Sequence, residues 1–264
     1  MPRSRCSPPW SIACVAAKGT AMTTRMRADL LLVERGLFAS RAQAQAAIAA
    51  GRVTADAITV RRPADEIVID AVLKATPEHP WVSRGGLKLT AALDHFGFDP
   101  LGRVCLDVGA STGGFSDVLI ARGARRIYAV DVGHGQLHAR LRDRPVLVSL
   151  EGTDIRTLSA TRLEEPPDLV VIDVSFISLT QVLPAALALA ASRSELIALI
   201  KPQFESGRQR LKKGIVRDPS VHAAVCQRVA ACVDGLGWDV AGIIVAPLGG
   251  RTRNREFLLG ARRD

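Results

Sequence analysis

The chain has 264 residues, 48% of them hydrophobic, with 35 Lys and Arg against 26 Asp and Glu, a formal net charge of +9 and a pI near 9.9. This length and apolar content exclude a disordered or fibrous chain and predict one large domain plus a small one, while the basic balance favours a polyanionic partner, of which nucleic acid is the commonest. The cysteines Cys6, Cys14, Cys105, Cys226 and Cys232 are scattered, odd in number and without a CxxC pair, which argues against a disulfide framework or a zinc knuckle and fits a reducing cytoplasm.

Residues 1–26 carry Arg3 and Arg5 ahead of a brief apolar patch that contains Ser11, too short for the core of a signal peptide. They are expected to be a disordered extension, with Met22 or Met26 as an alternative start. From Arg27 the pattern is regular. RADLLLVERGL predicts a helix with Asp29 near its start and Gly36 as its stop, and SRAQAQAAIAAGRV predicts a second helix capped by Ser40 and ended by Gly51. RVTA and AITVRR alternate as strands do, and DEIVIDAVLKA adds a further strand, giving a small α+β unit over 27–76. Arg27, Arg35, Arg41, Arg52, Arg61 and Arg62 cluster at the helix ends and first strands, as a phosphate-gripping surface requires.

The order of these features, a Leu-rich helix, Gly, Ser-Arg, a second helix, Ala-Gly-Arg-Val and a strand, resembles the S4 RNA-binding domain. That resemblance implies that the second helix and the turn after it contact structured RNA. One departure is visible: the S4 pattern usually has an Asn-Gly turn where this chain has Ala55, Asp56 and Ala57.

A Pro-rich stretch, ATPEHPWV, predicts a linker over 77–83, followed by a large domain over 84–264 that opens on the amphipathic helix LKLTAALDHF. RVCLDVG, RRIYAVDVG, PVLVSLEG, DLVVIDVS, ELIALIKP and DVAGIIVAP are the strands, mostly the continuous apolar runs of a parallel sheet covered on both faces. FSDVLIARG, TQVLPAALALAA and SVHAAVCQRVAACVDGLG are helices between them. The result is a doubly wound, Rossmann-like α/β domain whose ligands gather at the carboxyl ends of the strands. The apolar passage LTQVLPAALALAAS is broken by Pro184 and falls short of the ~20 residues of a membrane span, so no transmembrane helix is expected.

The first of these strands runs into CLDVGASTGGFSDVL, a loop of small residues from Cys105 to Leu119. A dinucleotide loop needs G-x-G-x-x-G, but Ser111 occupies the second glycine position, and a P-loop needs a Lys that does not follow Gly114. Acids stand where phosphates would be repelled: Asp107 ends the first strand, Asp131 the second, and Asp154 follows the third. A carboxylate after the second strand accepts both ribose hydroxyls, and one near the first faces an ammonium group. S-adenosylmethionine has a ribose, an amino group, a sulfonium and no phosphate. The expected cofactor contacts are therefore Asp107, Gly109, Ala110, Ser111, Thr112, Gly113, Gly114, Phe115, Asp131, Asp154, Ile155 and Asp173.

The methylated atom is narrowed by what is missing. Methylation of exocyclic base nitrogens often uses [DN]-P-P-[FY] after the fourth strand, where this chain has Asp173-Val174-Ser175-Phe176, and no cysteine follows a Pro as cytosine C5 methylation requires. Charged groups stand instead at strand ends: Asp173, Lys201 and Glu256, with Lys88 on the preceding helix. A sugar hydroxyl is a weak nucleophile that needs a base or a stabilised oxyanion. A Lys titrating ordinarily at ~10.4 is brought towards that use by burial and a neighbouring cation. Lys88 and Lys201 are expected to serve each other so, with Asp173 and Glu256 orienting them; for each of the four, a structural salt bridge is the alternative.

WVSRGGLKL, CLDVGASTGGFSDVL, YAVDVGHGQL, DLVVIDVSFISL, LIALIKPQFESGR and KKGIVRDP together resemble the TlyA (hemolysin A) family, over nearly all of the chain from Arg27 onward. The resemblance implies an S4 domain joined to an FtsJ-like methyltransferase domain, transfer of methyl from S-adenosylmethionine to a cytidine 2′-hydroxyl in ribosomal RNA, and a catalytic tetrad at Lys88, Asp173, Lys201 and Glu256. The chain departs from the family pattern at His134, where Tyr is frequent, and at Asp154, where Asn is. RNA contacts are expected from Arg27, Arg35, Arg41, Arg52, Ser83 and Arg84, and from Arg208, Arg210, Lys212 and Lys213 in the basic loop after the fifth strand. His134 and His138 stand four apart without a third ligand, so no metal is expected. The expected substrate is large-subunit (23S) rRNA, with 16S rRNA as a second target, in the cytoplasm. The rival readings are a hemolysin-type membrane-active protein and a non-catalytic RNA-binding assembly factor.

Overall fold

The computed structural model describes residues 24–38, 40–76, 79–206, 214–247 and 254–264. The chain divides into two compact units, the second of which begins at His79.

The first unit runs β1 (Arg25–Arg27), α1 (Ala28–Glu34), α2 (Arg41–Ala49), β2 (Val53–Ala55), β3 (Ile58–Thr59), β4 (Glu66–Val68) and β5 (Leu73–Ala75). Gly36 and Gly51 each take φ +69°, the left-handed conformation that stops a helix at low cost. Ser40 caps α2, its Oγ accepting the Gln43 amide at 3.4 Å. Leu31, Leu32, Ala44, Ala47 and Ile48 of the helices bury themselves with Val53, Val60 and Ile67. Two sequence readings need correction. Arg25 and Met26 are not part of an extension, because β1 pairs antiparallel with β4, Met26 opposite Ile67. DEIVIDAVLKA is not one strand: it turns at Asp70, where Ala71 N–H donates to Val68 O at 3.0 Å, and its halves join two different sheets, β1-β4 and β3-β2-β5. The hairpin turn between β2 and β3 forms without Asn-Gly. Asp56 (φ 48°) and Ala57 (φ 66°) both adopt the left-handed region that a two-residue hairpin demands, and Asp56 Oδ1 accepts Val72 N–H at 2.9 Å.

The second unit runs α3 (Gly85–Phe96), β6 (Val104–Val108), α4 (Gly114–Ala121), β7 (Arg126–Val130), α5 (Ala139–Arg142), β8 (Leu147–Leu150), β9 (Leu169–Ile172), α6 (Leu179–Ala188), β10 (Ser194–Ile200), α7 (Pro202–Glu205), α8 (Pro219–Gly235), β11 (Asp239–Val245) and β12 (Phe257–Arg263). Its seven strands lie in the order β11-β12-β10-β9-β6-β7-β8. The five from β10 to β8 are parallel, whereas β12 runs antiparallel between β10 and β11. Strand alternation sends Leu106, Val108, Val170, Ile172, Leu196 and Ala198 to a core with α6 and α8, and Cys105, Leu169, Val171, Ile197 and Leu199 to one with α3 and α4.

Three further corrections bear on the site. The seventh strand, β12, is absent from the sequence reading. Pro184 does not break its apolar passage, since α6 continues through it. The expected linker is no spacer from residue 79 onward: Val82 packs with Ala110, Leu137 and Leu141, its N–H donates to Asp117 Oδ2 at 2.9 Å, and Arg140 donates to Pro80 O at 2.8 Å.

Candidate active site

The parallel sheet makes one edge chemically rich. Asp173 follows β9 and Lys201 follows β10 at their carboxyl ends. Because β12 is antiparallel, Phe257 pairs with Ile200, and Glu256 just before it arrives at the same edge. Lys88 arrives from the first turn of α3. The four form two ion pairs, Lys88 Nζ to Glu256 Oε2 at 2.5 Å and Lys201 Nζ to Asp173 Oδ1 at 2.5 Å, and Lys201 Nζ also donates to Ser175 Oγ at 2.8 Å. Their side chains are only 12–20% exposed, so solvent screens these pairs less than it would on an open surface. Each ammonium is thus paired with a carboxylate.

All four line one lobe, of about 580 Å³, of a two-lobed crevice; the other, of about 890 Å³, is bordered by Asp131, Asp154 and Ile155. The lobes share Gly109, Ser111, Asp173 and Ser175. The crevice lies where the chain leaves β6 in one direction and β9 in the other, the expected ligand position of a doubly wound sheet. Gly109 makes the junction fit: at φ +83° a Cβ would come 2.5 Å from Asp173 O, so only glycine lets the loop pass the strand end.

Asp131 bolts the rim of the second lobe, accepting Ser111 N–H on Oδ2 at 2.8 Å and Gly133 N–H on Oδ1 at 2.7 Å. Each oxygen keeps a lone pair for a ligand hydroxyl. Asp154 caps the turn that follows it, accepting Arg156 N–H at 2.9 Å and pairing with the Arg156 guanidinium at 2.6 Å; these bonds hold its carboxyl below the usual range. Among the remaining loop residues, Ala110, Thr112, Gly114 and Phe115 line the first lobe and not the second. Two expected contacts line neither lobe. Gly113 (φ +89°) makes room for Leu137 and Leu141. Asp107 points to the face of β6 opposite Leu106 and Val108, is wholly buried, and accepts the Ser116 hydroxyl at 2.6 Å. Burial pushes its carboxyl up to about 7, against the lowering effect of that hydrogen bond.

Of the expected RNA contacts, Ser83 and Arg84 line the first lobe, Ser83 Oγ accepting Gly85 N–H at 3.2 Å. In the first unit Arg27 and Arg41 both bond to Asp29, Arg35 donates to Ile69 O, and Arg52 is exposed just after Gly51. Arg208, Arg210, Lys212 and Lys213 lie outside the described residues. Sequence reasoning missed Ser175, which holds Lys201, and Gln203, whose Oε1 is buried on the first lobe without a hydrogen-bond partner among the described residues. It also missed Asn254, which accepts Val216 N–H and donates to Gly214 O, both at 2.9 Å. Phe176, 90% exposed at φ 65° and 5.0 Å from the Phe204 ring, borders the second lobe. The signal for Ser175 and Phe176 was their place in the segment that replaces [DN]-P-P-[FY].

Residues 81–263 match the FtsJ-like methyltransferase family. The chain is 43% identical over 244 residues to the 16S/23S rRNA (cytidine-2′-O)-methyltransferase TlyA of Mycobacterium tuberculosis, covering 91% of each chain. It is 37% identical to the 23S rRNA (cytidine-2′-O)-methyltransferase TlyA of Campylobacter jejuni, covering 74% of this chain and 76% of that one. Among solved structures, a hemolysin-type protein of Streptococcus thermophilus superposes with a TM-score of 0.72 at 38% identity, covering 91% of this chain and 89% of the other. The chain therefore belongs to the FtsJ-like methyltransferases and, among them, to the TlyA family.

Proposed function

We propose that the protein transfers the methyl group of S-adenosylmethionine to the 2′-oxygen of a cytidine in ribosomal RNA. The observation that carries this reading is the meeting of two lobes at Asp173: one bordered by acids suited to an adenosine, the other holding two lysine–carboxylate pairs. When bound, S-adenosylmethionine supplies an electrophilic methyl on a positively charged sulfur. Asp131 would accept the ribose hydroxyls, and Gly109, Ser111 and Ile155 would flank the nucleoside. The fit rests on the carboxylate rim, which repels phosphates, and on the glycine cradle beside Asp173.

Lys201, held by Asp173 and Ser175, would donate to the ribose 2′-oxygen of a flipped cytidine and stabilise the charge that builds there. Transfer would form the O–C bond as the S–C bond breaks, its electrons staying on sulfur, while Asp173, the carboxylate of the Lys201–Asp173 pair, would take the hydroxyl proton. Lys88 and Glu256 line the same lobe as a second ion pair. Most of the rate comes from holding the oxygen in line with the methyl. In this reading the first unit is an S4-like module that grips structured RNA, 23S rRNA is the principal substrate with 16S rRNA as a second, and the cytoplasm is the place of action. No described helix is long and apolar enough to cross a membrane. Mapping 2′-O-methylation across both ribosomal RNAs with and without the protein tests the reading: a new methylated cytidine in 23S rRNA is expected, and its absence with folded, donor-bound protein overturns it.

A further inference from the structure

Asp29 is buried completely, yet it is one of the most heavily bonded side chains of the first unit. Its carboxylate accepts Arg27 Nε at 3.1 Å and Nη2 at 3.2 Å, Arg41 Nε at 3.3 Å and Nη2 at 2.9 Å, and Gln45 Nε2 at 2.8 Å. A buried carboxylate needs such partners to stay ionised. The arginines do more than neutralise it. Arg27 and Arg41 keep their side chains 44% and 53% exposed, Arg27 just ahead of α1 and Arg41 at the first position of α2. Each guanidinium has five N–H donors in a rigid fork, and Asp29 occupies the Nε/Nη2 edge of both. Among the described residues nothing bonds to the Nη1 groups, which remain for a ligand, and the trio carries a net positive charge. An arginine on an exposed surface ordinarily loses rotamer freedom when it takes a ligand; here that loss is met within the fold.

We infer that Arg27, Asp29 and Arg41 form a preassembled clamp for one RNA phosphodiester, in which Asp29 is the positioning residue and the two arginines contact the phosphate oxygens. This rests on the reading of the first unit as an RNA-binding module and adds which residues act together and why an acid belongs among them. Hydrogen bonds from Arg27, then from Arg41 and Gln45, hold the Asp29 carboxyl well below the usual range against the effect of burial, so the clamp is charged throughout the physiological range.

The test turns on a sign. Asp29→Asn raises the net charge by one, so attraction to a polyanion by charge alone would tighten binding and steepen its salt dependence. A clamp predicts the reverse: affinity of the full chain for 23S ribosomal RNA falls about tenfold, and the slope of log affinity against log salt falls by about one. Arg41→Lys keeps the charge but loses the fork, and is expected to weaken binding about as much. Unchanged or tighter binding in Asp29→Asn, with the unit shown folded by circular dichroism, overturns the clamp. Should that variant unfold, Arg27→Lys and Arg41→Lys carry the test, and full affinity in both overturns it. The double variant Arg27→Ala/Arg41→Ala separates the two levels: unchanged RNA affinity defeats the module reading itself, whereas loss there with none in Asp29→Asn defeats only the clamp.

Discussion

Acids that border the two lobes of the crevice are engaged in different ways. In the first, Asp173 and Glu256 are each engaged by a lysine, so the wall carries paired charge that can answer a charge developing on a ligand. In the second, Asp154 is likewise engaged by Arg156, whereas Asp131 accepts, among the described residues, only the backbone N–H groups of Ser111 and Gly133. The difference teaches that carboxylates at strand ends are not equivalent: what each one is bonded to sets what it has left to offer a ligand.

This contrast is open to direct attack. Lys201→Ala should lower the rate of methyl transfer roughly 10²- to 10⁴-fold while leaving donor binding near its normal value, read by single-turnover transfer beside calorimetry with S-adenosylmethionine. Donor affinity falling as far as the rate would erase the distinction between the lobes. Asp131→Ala should do the converse, weakening the donor about 10- to 100-fold with a smaller change in transfer at saturating donor. Asp107 belongs to neither lobe and sharpens the comparison through pH. Its folded state keeps the proton up to about 7, whereas the unfolded chain releases it near ~3.9. Between those values the folded state binds more protons, so stability falls as pH rises across the window and levels off above it. Asp107→Asn should flatten the dependence of melting temperature on pH in that window; an unaltered slope would mean that another group is responsible. The smallest effect is expected outside the crevice altogether. Ala57→Gly relieves a left-handed alanine at φ 66° and should stabilise the first unit by about 0.5–1 kcal/mol without moving transfer or donor binding, as denaturant melts would show.

The loop and the acids of the site were legible because they rest on local chemistry. Glycine at 109 answers a backbone approach, and apolar runs ending in Asp173 and Lys201 mark strand ends whatever their neighbours. Strand β12 was not legible, because FLLGARR holds a glycine and two arginines and reads poorly as a strand. It is a strand because β10 and β11 pair with it on both sides. Gly260 is tolerated there since a Cβ would come 2.6 Å from the Phe96 ring of α3. That Lys88 meets Glu256 in particular was not legible in the spacing: the two are 168 residues apart, and only the antiparallel insertion brings them together. Residues 79–83 looked like a spacer because proline is a local signal, while the bond from Val82 to Asp117 is not.

The position of β12 also bears on how the enzyme comes into being. Synthesis delivers β10 and β11 before the strand that lies between them, so one long edge of the central sheet waits, unpaired and open to association with other chains, until residues 257–263 emerge. Glu256 arrives with that strand. A nascent chain interrupted earlier would lack both the edge cover and the partner of Lys88, so the covered sheet edge and the Lys88–Glu256 pair are gained together.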